Sequence, residues 1–542
     1  MNPSPAQKIQ TFLQKREYLI PLVLFLLFLA ITLPGIAWGY PDGWHPDEIV
    51  IRAIWALRGE WKFSEINFDY PDLPQYVMLG LGKLVLSLGY AEADIRVAAR
   101  ILSAILAGLT IVIVYKITRR ISENTFTATL SGLLLLSVNA LSHNGRFAHN
   151  DTYITFFVAL AVLFLINYAK TDQKGWLYAS FLTVGMAASS KYNGISLVAA
   201  PALVYLIKER QTLFKSLLHT FETVFISAAI TFLGFAIGTP KAFFWMTYYF
   251  KRMIPALLHT GNYARQPGSV RGIFGQYGNF AEGTGVLLFI LFAVAFIWAI
   301  YTLIRAWRTE KEKRETQAPF IAILLLCILA LDLPVMISYN FATRFFLPIY
   351  PLFAVLGALF IAELYSFTKY RTITSAALAF ILLFSFARNI SVMLLFLNDA
   401  RISASQYVAH LPADTSLEYT YYPPTIPEKH FEREHNYPLY FKKAPDEKLP
   451  TSKKYIFNEG EIGLEKRGTT YLVTDSFTYV RFNNAYICEM MQAECDFFQQ
   501  LETGQSQHYK LIAEFHYSLP RYLPQIHIDF VNPSIRIYER IP

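Results

Sequence analysis

A few acidic and basic side chains stand out in a chain that is otherwise strongly apolar. Asp47 and Glu48 are adjacent, and Asp151 follows much later in the chain. A pair of carboxylates can supply a general base that removes a proton from an attacking hydroxyl group. Lys191 and Arg344 provide the fixed positive charge that stabilises a phosphate as negative charge develops on it. These residue types predict a transfer reaction in which a hydroxyl attacks and a phosphate leaves.

The composition places these residues in a membrane protein. Of the 542 residues, 54% are hydrophobic and only 16% are charged, whereas a soluble globular chain has about 25% charged residues. The low charge content excludes a disordered chain, a coiled coil and an ordinary cytosolic enzyme. Apolar runs of membrane-spanning length recur through residues 1–396. We therefore predict a polytopic α-helical membrane protein.

The distribution of basic residues predicts which side of the membrane each candidate occupies. We predict about eleven transmembrane spans, at 18–38, 97–115, 124–141, 152–169, 175–190, 194–208, 216–238, 284–304, 317–338, 345–366 and 372–396. With a cytoplasmic N-terminus, Lys and Arg concentrate in the inner loops, and the short outer loops hold about one each. All the candidates then lie on the outer face. A groove between apolar helices could hold a lipid tail there while the phosphate stays at the interface.

The predicted domains are a transmembrane domain, residues 1–396, and an extracytoplasmic mixed α/β domain, residues 397–542. The first includes two long external loops, 39–96 and 239–283, and an apolar stretch in the first loop predicts an interfacial amphipathic helix. Residues 397–542 contain short Tyr-, Phe-, Ile- and Val-rich runs separated by prolines, a pattern typical of strands. The net charge of +8 reflects basic cytoplasmic loops rather than nucleic-acid binding.

The cysteines and histidines carry less information. Cys488 and Cys495 could form a disulfide if their domain is extracytoplasmic. They could not do so within one straight helix, where a spacing of seven gives a rise of about 10 Å. His45, His143 and His149 are too loosely spaced to indicate a metal site.

Several candidates also have purely structural explanations. Asp151 could be the N-cap of the fourth span, and Arg146 could simply pair with Asp151. Lys191 and Arg344 could be anchors whose charged ends reach the membrane surface. A catalytic site therefore requires that these residues converge in one place.

The order of the motifs resembles the lipid-linked-sugar glycosyltransferases of the GT-C class. The similarity is to the bacterial branch related to protein O-mannosyltransferases and aminoarabinose transferases, and it covers residues 18–396. The matching motifs are the acidic pair Asp47-Glu48 after the first helix, Arg146 to Asp151, Ser190 to Gly194, and Arg344 to Pro351. The segment Tyr70-Pro71-Asp72-Leu73-Pro74 differs from the family's pattern at two positions.

The resemblance implies a polyprenyl-phosphate sugar donor and inversion at the anomeric carbon. Asp47 would be the general base, Glu48 would orient the acceptor or sugar, and Asp151 would be the second essential carboxylate. The implied phosphate-binding residues are Lys191, Arg344, Arg146 and Lys241. The implied acceptor or loop residues are His45, Tyr70 and Asp72.

The resemblance also implies a location, in the plasma (inner) membrane, and partners. The partners would be the bilayer and a protein or glycolipid acceptor. Metal dependence stays open: a divalent metal ion could bridge Asp47 or Asp151 to the donor phosphate, or the basic residues could act without it. Three other functions remain open: an oligosaccharide ligase or polymerase, a transporter or flippase, and a structural assembly subunit. Transporters commonly contain inverted repeats, and the sequence shows no internal repeat.

Overall fold

A computed structural model describes residues 17–62, 70–210, 217–262, 272–308, 317–340, 342–413, 415–427, 439–440, 455–456 and 460–541. The chain divides into two compact units, which we describe separately. The first comprises Met1–Ile36 and Asp47–Met393, and the second comprises Ala37–Pro46 and Leu394–Pro542.

The first unit is helical. Its helices are α1 Leu19–Thr32, α2 Val50–Leu57, α3 Leu73–Ser87, α4 Glu92–Ser122, α5 Thr125–Leu136, α6 Asn139–Asn144, α7 Asp151–Thr171, α8 Lys174–Ser190, α9 Ala199–Lys208, α10 Leu217–Gly238, α11 Lys241–Phe244, α12 Met246–Asn262, α13 Gly272–Thr284, α14 Val286–Arg308, α15 Ala318–Ile337, α16 Tyr350–Ser366 and α17 Arg371–Leu397. Short 3₁₀ turns at Tyr192–Val198, Thr343–Phe346 and Thr368–Tyr370 precede α9, α16 and α17. Helix α17 runs on into the second unit.

Length and apolar composition allow six helical segments of the described chain to cross a membrane. They are Glu92–Ser122, Asp151–Thr171, Thr220–Gly238, Val286–Arg308, Ala318–Ile337 and Thr368–Val408. Leu19–Thr32, Thr125–Leu136, Tyr192–Lys208 and Tyr350–Ser366 are shorter apolar segments. The prediction of a helical, membrane-embedded protein is confirmed, whereas the count of eleven spans stays a prediction.

The described parts of the segments predicted as long external loops contain helices. Residues 39–96 contain α2, α3 and the start of α4, and residues 239–283 contain α11, α12 and most of α13. These helices are too short or too polar to produce the continuous apolar run by which a span is recognised in a sequence. The amphipathic helix predicted near residues 75–88 corresponds to α3.

Small residues allow the closest helix crossing near the site. A Cβ atom on Gly185 of α8 would lie 2.1 Å from the carbonyl oxygen of Thr231 in α10. One on Gly234 would lie 2.3 Å from the carbonyl oxygen of Leu182. The two backbones therefore touch directly, as small residues commonly permit between membrane helices. This contact fixes the ends of α8 and α10, which precede Lys191 and Lys241 in the chain.

The second unit contains a four-stranded mixed sheet in the order β1-β4-β6-β5. The strands are β1 Leu417–Tyr419, β4 Tyr471–Asp475, β5 Tyr509–Phe515 and β6 Ile535–Arg540. Strands β1 and β4 are parallel, and β6 pairs antiparallel with β4 and with β5. A separate parallel pair joins β2 Leu439–Tyr440 to β3 Tyr455–Ile456. The helices of this unit are α18 Ala400–Val408, α19 Gly460–Arg467, α20 Ser476–Tyr479, α21 Ala485–Met490 and α22 Gln492–Thr503.

Both faces of this sheet are covered by side chains. Val473 and Ile537 pack on one face with Ala404 and Val408 of α18, and Leu472 and Tyr538 pack on the other, where α22 lies. The alternation along β4 and β6 is the two-residue period of a strand buried on both sides.

Cys488 and Cys495 form a disulfide with their Cα atoms 5.1 Å apart. Cys488 lies in α21 and Cys495 in α22. The two helices are separated by Met491, whose backbone is not helical. The bond therefore joins two helices rather than two turns of one, as the predicted geometry requires. Cys327 is a free, buried cysteine in α15.

Candidate functional site

Asp47 and Arg344 form the first ion pair of the site. Asp47 lies in the turn before α2, and Arg344 lies in the 3₁₀ turn before α16. The Arg344 Nη2 atom donates to Asp47 Oδ2 at 2.9 Å. Burial opposes the charge on Arg344, but the carboxylates of Asp151 and Asp47 outweigh it and raise the pKa of Arg344. The guanidinium group therefore interacts with both acids.

Asp151 is the centre of the second group of contacts. It begins α7, where a carboxylate is favoured by the helix dipole. Lys191 Nζ lies 2.6 Å from Asp151 Oδ1, and His149 Nδ1 lies 2.6 Å from Asp151 Oδ2. Burial lowers the pKa of Lys191 against the opposing effect of Asp151, and burial also lowers the pKa of His149. The His149 ring is therefore neutral near pH 7.

These two groups are parts of one cluster, the carboxylate–cation cluster of Asp47, Asp151, Lys191 and Arg344. The negative charges of Asp47 and Asp151 each favour the charged forms of both Lys191 and Arg344. Lys191 also lies over the ring of Phe345, with Nζ 4.5 Å from the centroid. The structure thus brings together residues from four distant parts of the sequence.

The two carboxylates differ in access. The Asp151 side chain is 2% exposed and is held on both oxygens, whereas the Asp47 side chain is 37% exposed. An incoming hydroxyl group can therefore reach Asp47 far more easily than Asp151. The buried Nε atom of Arg344 has no hydrogen-bond partner among the described residues.

Glu48 points to a different set of residues from its neighbour Asp47. Its carboxylate accepts two hydrogen bonds from Arg100, at 2.7 Å and 2.8 Å, and one from the Ala148 backbone N–H at 2.9 Å. Arg96 lies 3.5 Å from the same carboxylate. Glu48 therefore ties the Asp47 turn to α4 and to the segment just before Asp151.

Asp72 and Lys241 pair with each other, 3.0 Å apart, and both side chains are buried. The Asp72 backbone N–H donates to Thr239 Oγ1, which shares a 2.8 Å hydrogen bond with Ser189 Oγ. Burial raises the pKa of Asp72 to about 6, although Lys241 acts in the opposite direction. The resemblance implies that Asp72 is an acceptor or loop residue and that Lys241 binds phosphate, whereas in the structure the two side chains pair with each other.

Arg146 is fully buried and supports the backbone. Its guanidinium donates to the carbonyl oxygens of Ile31 at 2.6 Å, Pro34 at 3.2 Å and Ser142 at 2.9 Å. Carbonyls at the end of a helix lack partners within it, and Arg146 supplies one at the end of α1.

The remaining predicted residues lie in different units. Tyr70 belongs to the first unit and packs edge-on against His149, with ring centroids 5.9 Å apart. Burial raises the pKa of its hydroxyl. His45 belongs to the second unit, where its ring packs against Phe530 at 5.1 Å.

Sequence reasoning assigned no role to Arg52 and considered His149 only as a metal ligand. The Arg52 guanidinium lies 5.2 Å from the Tyr70 ring centroid and 5.6 Å from that of Trp61. In the sequence, only its position shortly after Asp47, in the helix that follows the acidic pair, indicated that Arg52 could lie near the candidate site.

An apolar groove of about 530 Å³ lies between α8, α9, α10 and α12. Its lining includes Phe181, Ala188, Tyr192, Val198, Phe235 and Phe250. Tyr192 directly follows Lys191 in the chain, and its hydroxyl bonds that of Tyr249 at 2.6 Å. Lys241 lies 5.8 Å from the centroid of the Tyr249 ring. The groove-lining Tyr192 is therefore linked to Lys191 by the chain and to Lys241 through Tyr249.

Close packing explains why the Ser190–Gly194 motif ends in a glycine. A Cβ atom there would lie 2.6 Å from the carbonyl carbon of Ala187 and 2.7 Å from its oxygen. Any larger residue would push the 3₁₀ turn away from the end of α8. Lys191, which lies between these two elements, would then be displaced from Asp151.

A metal centre made by the protein alone does not fit the described residues. Within those ranges, no three His, Cys, Asp or Glu side chains are grouped so that they could hold a metal ion. Each carboxylate of the cluster instead contacts a lysine or an arginine. We therefore derive no step through a metal.

Sequence comparison relates the chain to lipid-dependent sugar transferases. The family model for dolichyl-phosphate-mannose-protein mannosyltransferases matches residues 83–235. An undecaprenyl phosphate-α-4-amino-4-deoxy-L-arabinose arabinosyl transferase of Pseudomonas fluorescens is 24% identical over 331 residues, covering 58% of this chain and 53% of the relative. The dolichyl-phosphate-mannose–protein mannosyltransferase 1 of Saccharomyces cerevisiae is 25% identical over 262 residues, covering 44% and 31%. The chain thus spans about half or less of the length of these relatives.

Structural comparison extends the similarity to most of the chain. ArnT from Cupriavidus metallidurans, bound to undecaprenyl phosphate, superposes with a TM-score of 0.52 at 14% identity, covering 95% of this chain and 97% of ArnT. The apo oligosaccharyltransferase of Archaeoglobus fulgidus superposes with a TM-score of 0.53 at 12% identity, covering 98% and 89%. At these identities the similarity shows a shared fold.

Proposed function

We propose that this chain, a GT-C-fold membrane protein related to the O-mannosyltransferases and aminoarabinose transferases, transfers a sugar from a polyprenyl-phosphate donor to an acceptor hydroxyl. One observation carries the proposal: the Asp47, Asp151, Lys191 and Arg344 side chains form one cluster beside an apolar groove. The relatives named above use donors of this chemical class. The relationship fits a transferase better than a transporter or flippase.

In the proposed reaction, the acceptor oxygen attacks the anomeric carbon and its proton passes to Asp47. A new carbon–oxygen bond forms on one face of the sugar while the carbon–phosphate oxygen bond breaks on the other. The phosphate leaves with the bonding electron pair, so the anomeric centre is inverted. A positioned general base contributes about 100- to 10,000-fold to the rate of such a step. Asp47 has this role because it is the accessible acid of the cluster.

Lys191 and Arg344 stabilise the leaving phosphate. Lys191 has three N–H donors, of which one contacts Asp151, and the Nε atom of Arg344 has no hydrogen-bond partner in the described ranges. Two cations and two carboxylates have no net charge, so a phosphate diester adds a negative charge to a neutral site. Asp151 keeps Lys191 charged and in place. The polyprenyl tail lies in the apolar groove, which begins at Tyr192.

The proposal includes a topology of eleven spans. The N-terminus is cytoplasmic, the second unit is extracytoplasmic, and the chain lies in the plasma (inner) membrane. The concentration of Lys and Arg in alternate loops supports this orientation. The Cys488–Cys495 disulfide supports an oxidising location for the second unit. The acceptor is a protein or a glycolipid.

A donor panel tests the function. The purified chain is incubated with radiolabelled polyprenyl-phosphate sugars and, separately, with nucleotide sugars, and label is followed into protein, lipid and water-soluble fractions. We expect transfer from at least one lipid donor and none from nucleotide sugars. We expect transfer to survive exhaustive chelation, because the cluster supplies its own cations. Movement of intact lipid donor across a proteoliposome without transfer would contradict the proposal.

Lys191→Met should weaken use of the donor more than use of the acceptor. The loss of a charge-assisted hydrogen bond to phosphate should raise the KM for the donor roughly 10- to 100-fold. The measurement is initial rate against donor concentration at saturating acceptor. Lys208→Met is the matched control, because Lys208 contacts the Tyr168 and Ala169 carbonyl oxygens away from the cluster. An unaltered donor dependence would mean that Lys191 is only an anchor at the membrane surface.

A further inference from the structure

The second unit contains a cavity of about 460 Å³ whose chemistry differs from that of the apolar groove. It is formed by the segment 42–46, by Arg401 and by residues 419–426. The side chains that give it its character are Asp42, Trp44, Arg401, Tyr419, Tyr421 and Tyr422. Aromatic rings, a carboxylate and a guanidinium group therefore line one space.

Arg401 is held rigidly at this cavity. Its side chain is fully buried, and Nε and Nη2 donate to the two oxygens of Asp399 at 3.0 Å and 2.8 Å. Its guanidinium lies 4.4 Å from the ring centroid of Trp44 and 5.1 Å from that of Trp38. Trp38 Nε1 donates to Asp399 at 2.8 Å. The arginine, both tryptophans and the aspartate form one preorganised group.

Two buried donors in this group lack partners. Arg401 Nη1 and Trp44 Nε1 are buried, and neither has a hydrogen-bond partner within the described part of the chain. A buried donor left without a partner destabilises the fold. Both residues line the cavity, and acceptor oxygens of a ligand that reached these two atoms would satisfy them.

The charge balance indicates a neutral ligand. Asp399 already neutralises Arg401, and Asp42 adds a negative charge to the rim. Arg401, Asp399 and Asp42 together carry a net negative charge, which repels an anion such as phosphate. A lipid tail would leave both buried donors unsatisfied. The cavity instead suits a molecule with hydroxyl oxygens and apolar C–H faces.

We propose that this cavity binds a neutral sugar residue of the acceptor. The inference rests on the proposed transferase function and makes the acceptor a glycan-bearing molecule. Pyranose C–H faces pack on the tyrosine and Trp44 rings, while sugar oxygens accept from Trp44 Nε1 and Arg401 Nη1. The Tyr422 ring packs against the rings of Phe477 and Phe530, with centroids 5.7 Å and 5.6 Å away, and these contacts hold it in position.

Equilibrium binding of neutral oligosaccharides to the full-length purified chain, without donor, tests this proposal. The probes are maltotriose, cellotriose, mannotriose and chitotriose. Their binding is measured by ligand-observed NMR saturation transfer and by isothermal titration calorimetry. We expect at least one to bind saturably. Trp44→Phe, which removes only the indole N–H and part of the ring, should weaken that binding roughly 3- to 10-fold. Tyr421→Ala should have a similar effect, because it removes an exposed ring from the wall.

Trp307→Phe is the control, since Trp307 is 80% exposed and belongs to the first unit. We expect it to bind the oligosaccharide with unchanged affinity. No saturable binding of any probe, or equal binding by Trp44→Phe and the unmodified chain, would overturn the proposal. Saturable binding of a proline-rich peptide in place of sugars would assign the cavity to a protein ligand. Because no donor is present, binding can succeed even if the transferase proposal fails, and transfer can occur even if binding fails.

Discussion

Replacing Asp47 by Asn should lower sugar transfer about 100- to 10,000-fold, because the variant lacks the base that takes the acceptor proton. Asn has nearly the same shape, and Asp47 is a partly exposed side chain in a turn. We therefore expect the variant to accumulate in membranes at the level of the unmodified chain. The measurement is kcat at saturating donor and acceptor, alongside protein abundance in the membrane fraction.

The distribution of the loss between kcat and KM distinguishes a base from a binding residue. The Asp47→Asn variant should lose kcat with a small change in donor KM, because Arg344 still faces Asp151. Glu60→Gln, an exposed acid that follows α2, is the matched control and should retain full activity. Full activity of the Asp47→Asn variant would remove Asp47 from the chemistry.

Replacing Glu48 by Gln should reduce both stability and activity. The variant leaves the buried Arg100 and Arg96 without their carboxylate, and losing one partner of a buried ion pair costs about 3–5 kcal/mol. Activity should fall because Glu48 joins the Asp47 turn to the Ala148 backbone, close to Asp151. Thermal unfolding in detergent and the transfer assay measure the two effects. Glu92→Gln, which breaks the exposed pair with Arg58, should cost about 0–1 kcal/mol.

A second substitution separates a positioning role for Glu48 from direct contact with substrate. Glu48→Gln combined with Arg100→Met removes the unpaired buried charge, so it should recover part of the lost stability and activity. A residue that contacts the sugar directly would gain nothing from the change at Arg100. Recovery of stability without any activity would therefore favour the sugar-orienting role that the resemblance implied for Glu48.

The four candidate phosphate-binding residues fall into two groups in the structure. Lys191 and Arg344 lie in the cluster with Asp47 and Asp151, as their shared membrane side suggested. Lys241 pairs with Asp72, and Arg146 holds carbonyl oxygens at the end of α1. Residue type alone could not separate these four cations, because each is a basic residue on the outer side in the predicted topology.

The sequence by itself determined the membrane-embedded helical class and the order of the motifs, and it named the candidate acids. These are local properties, since hydrophobicity, charge and spacing are carried by each segment whatever its neighbours are. Only the tertiary structure decided which cation meets which acid. Arg344 and Asp47 are separated by 297 positions, and Lys241 and Asp72 by 169. Such pairings depend on how helices cross and where short turns end, and a Coulomb interaction changes with each ångström of that placement.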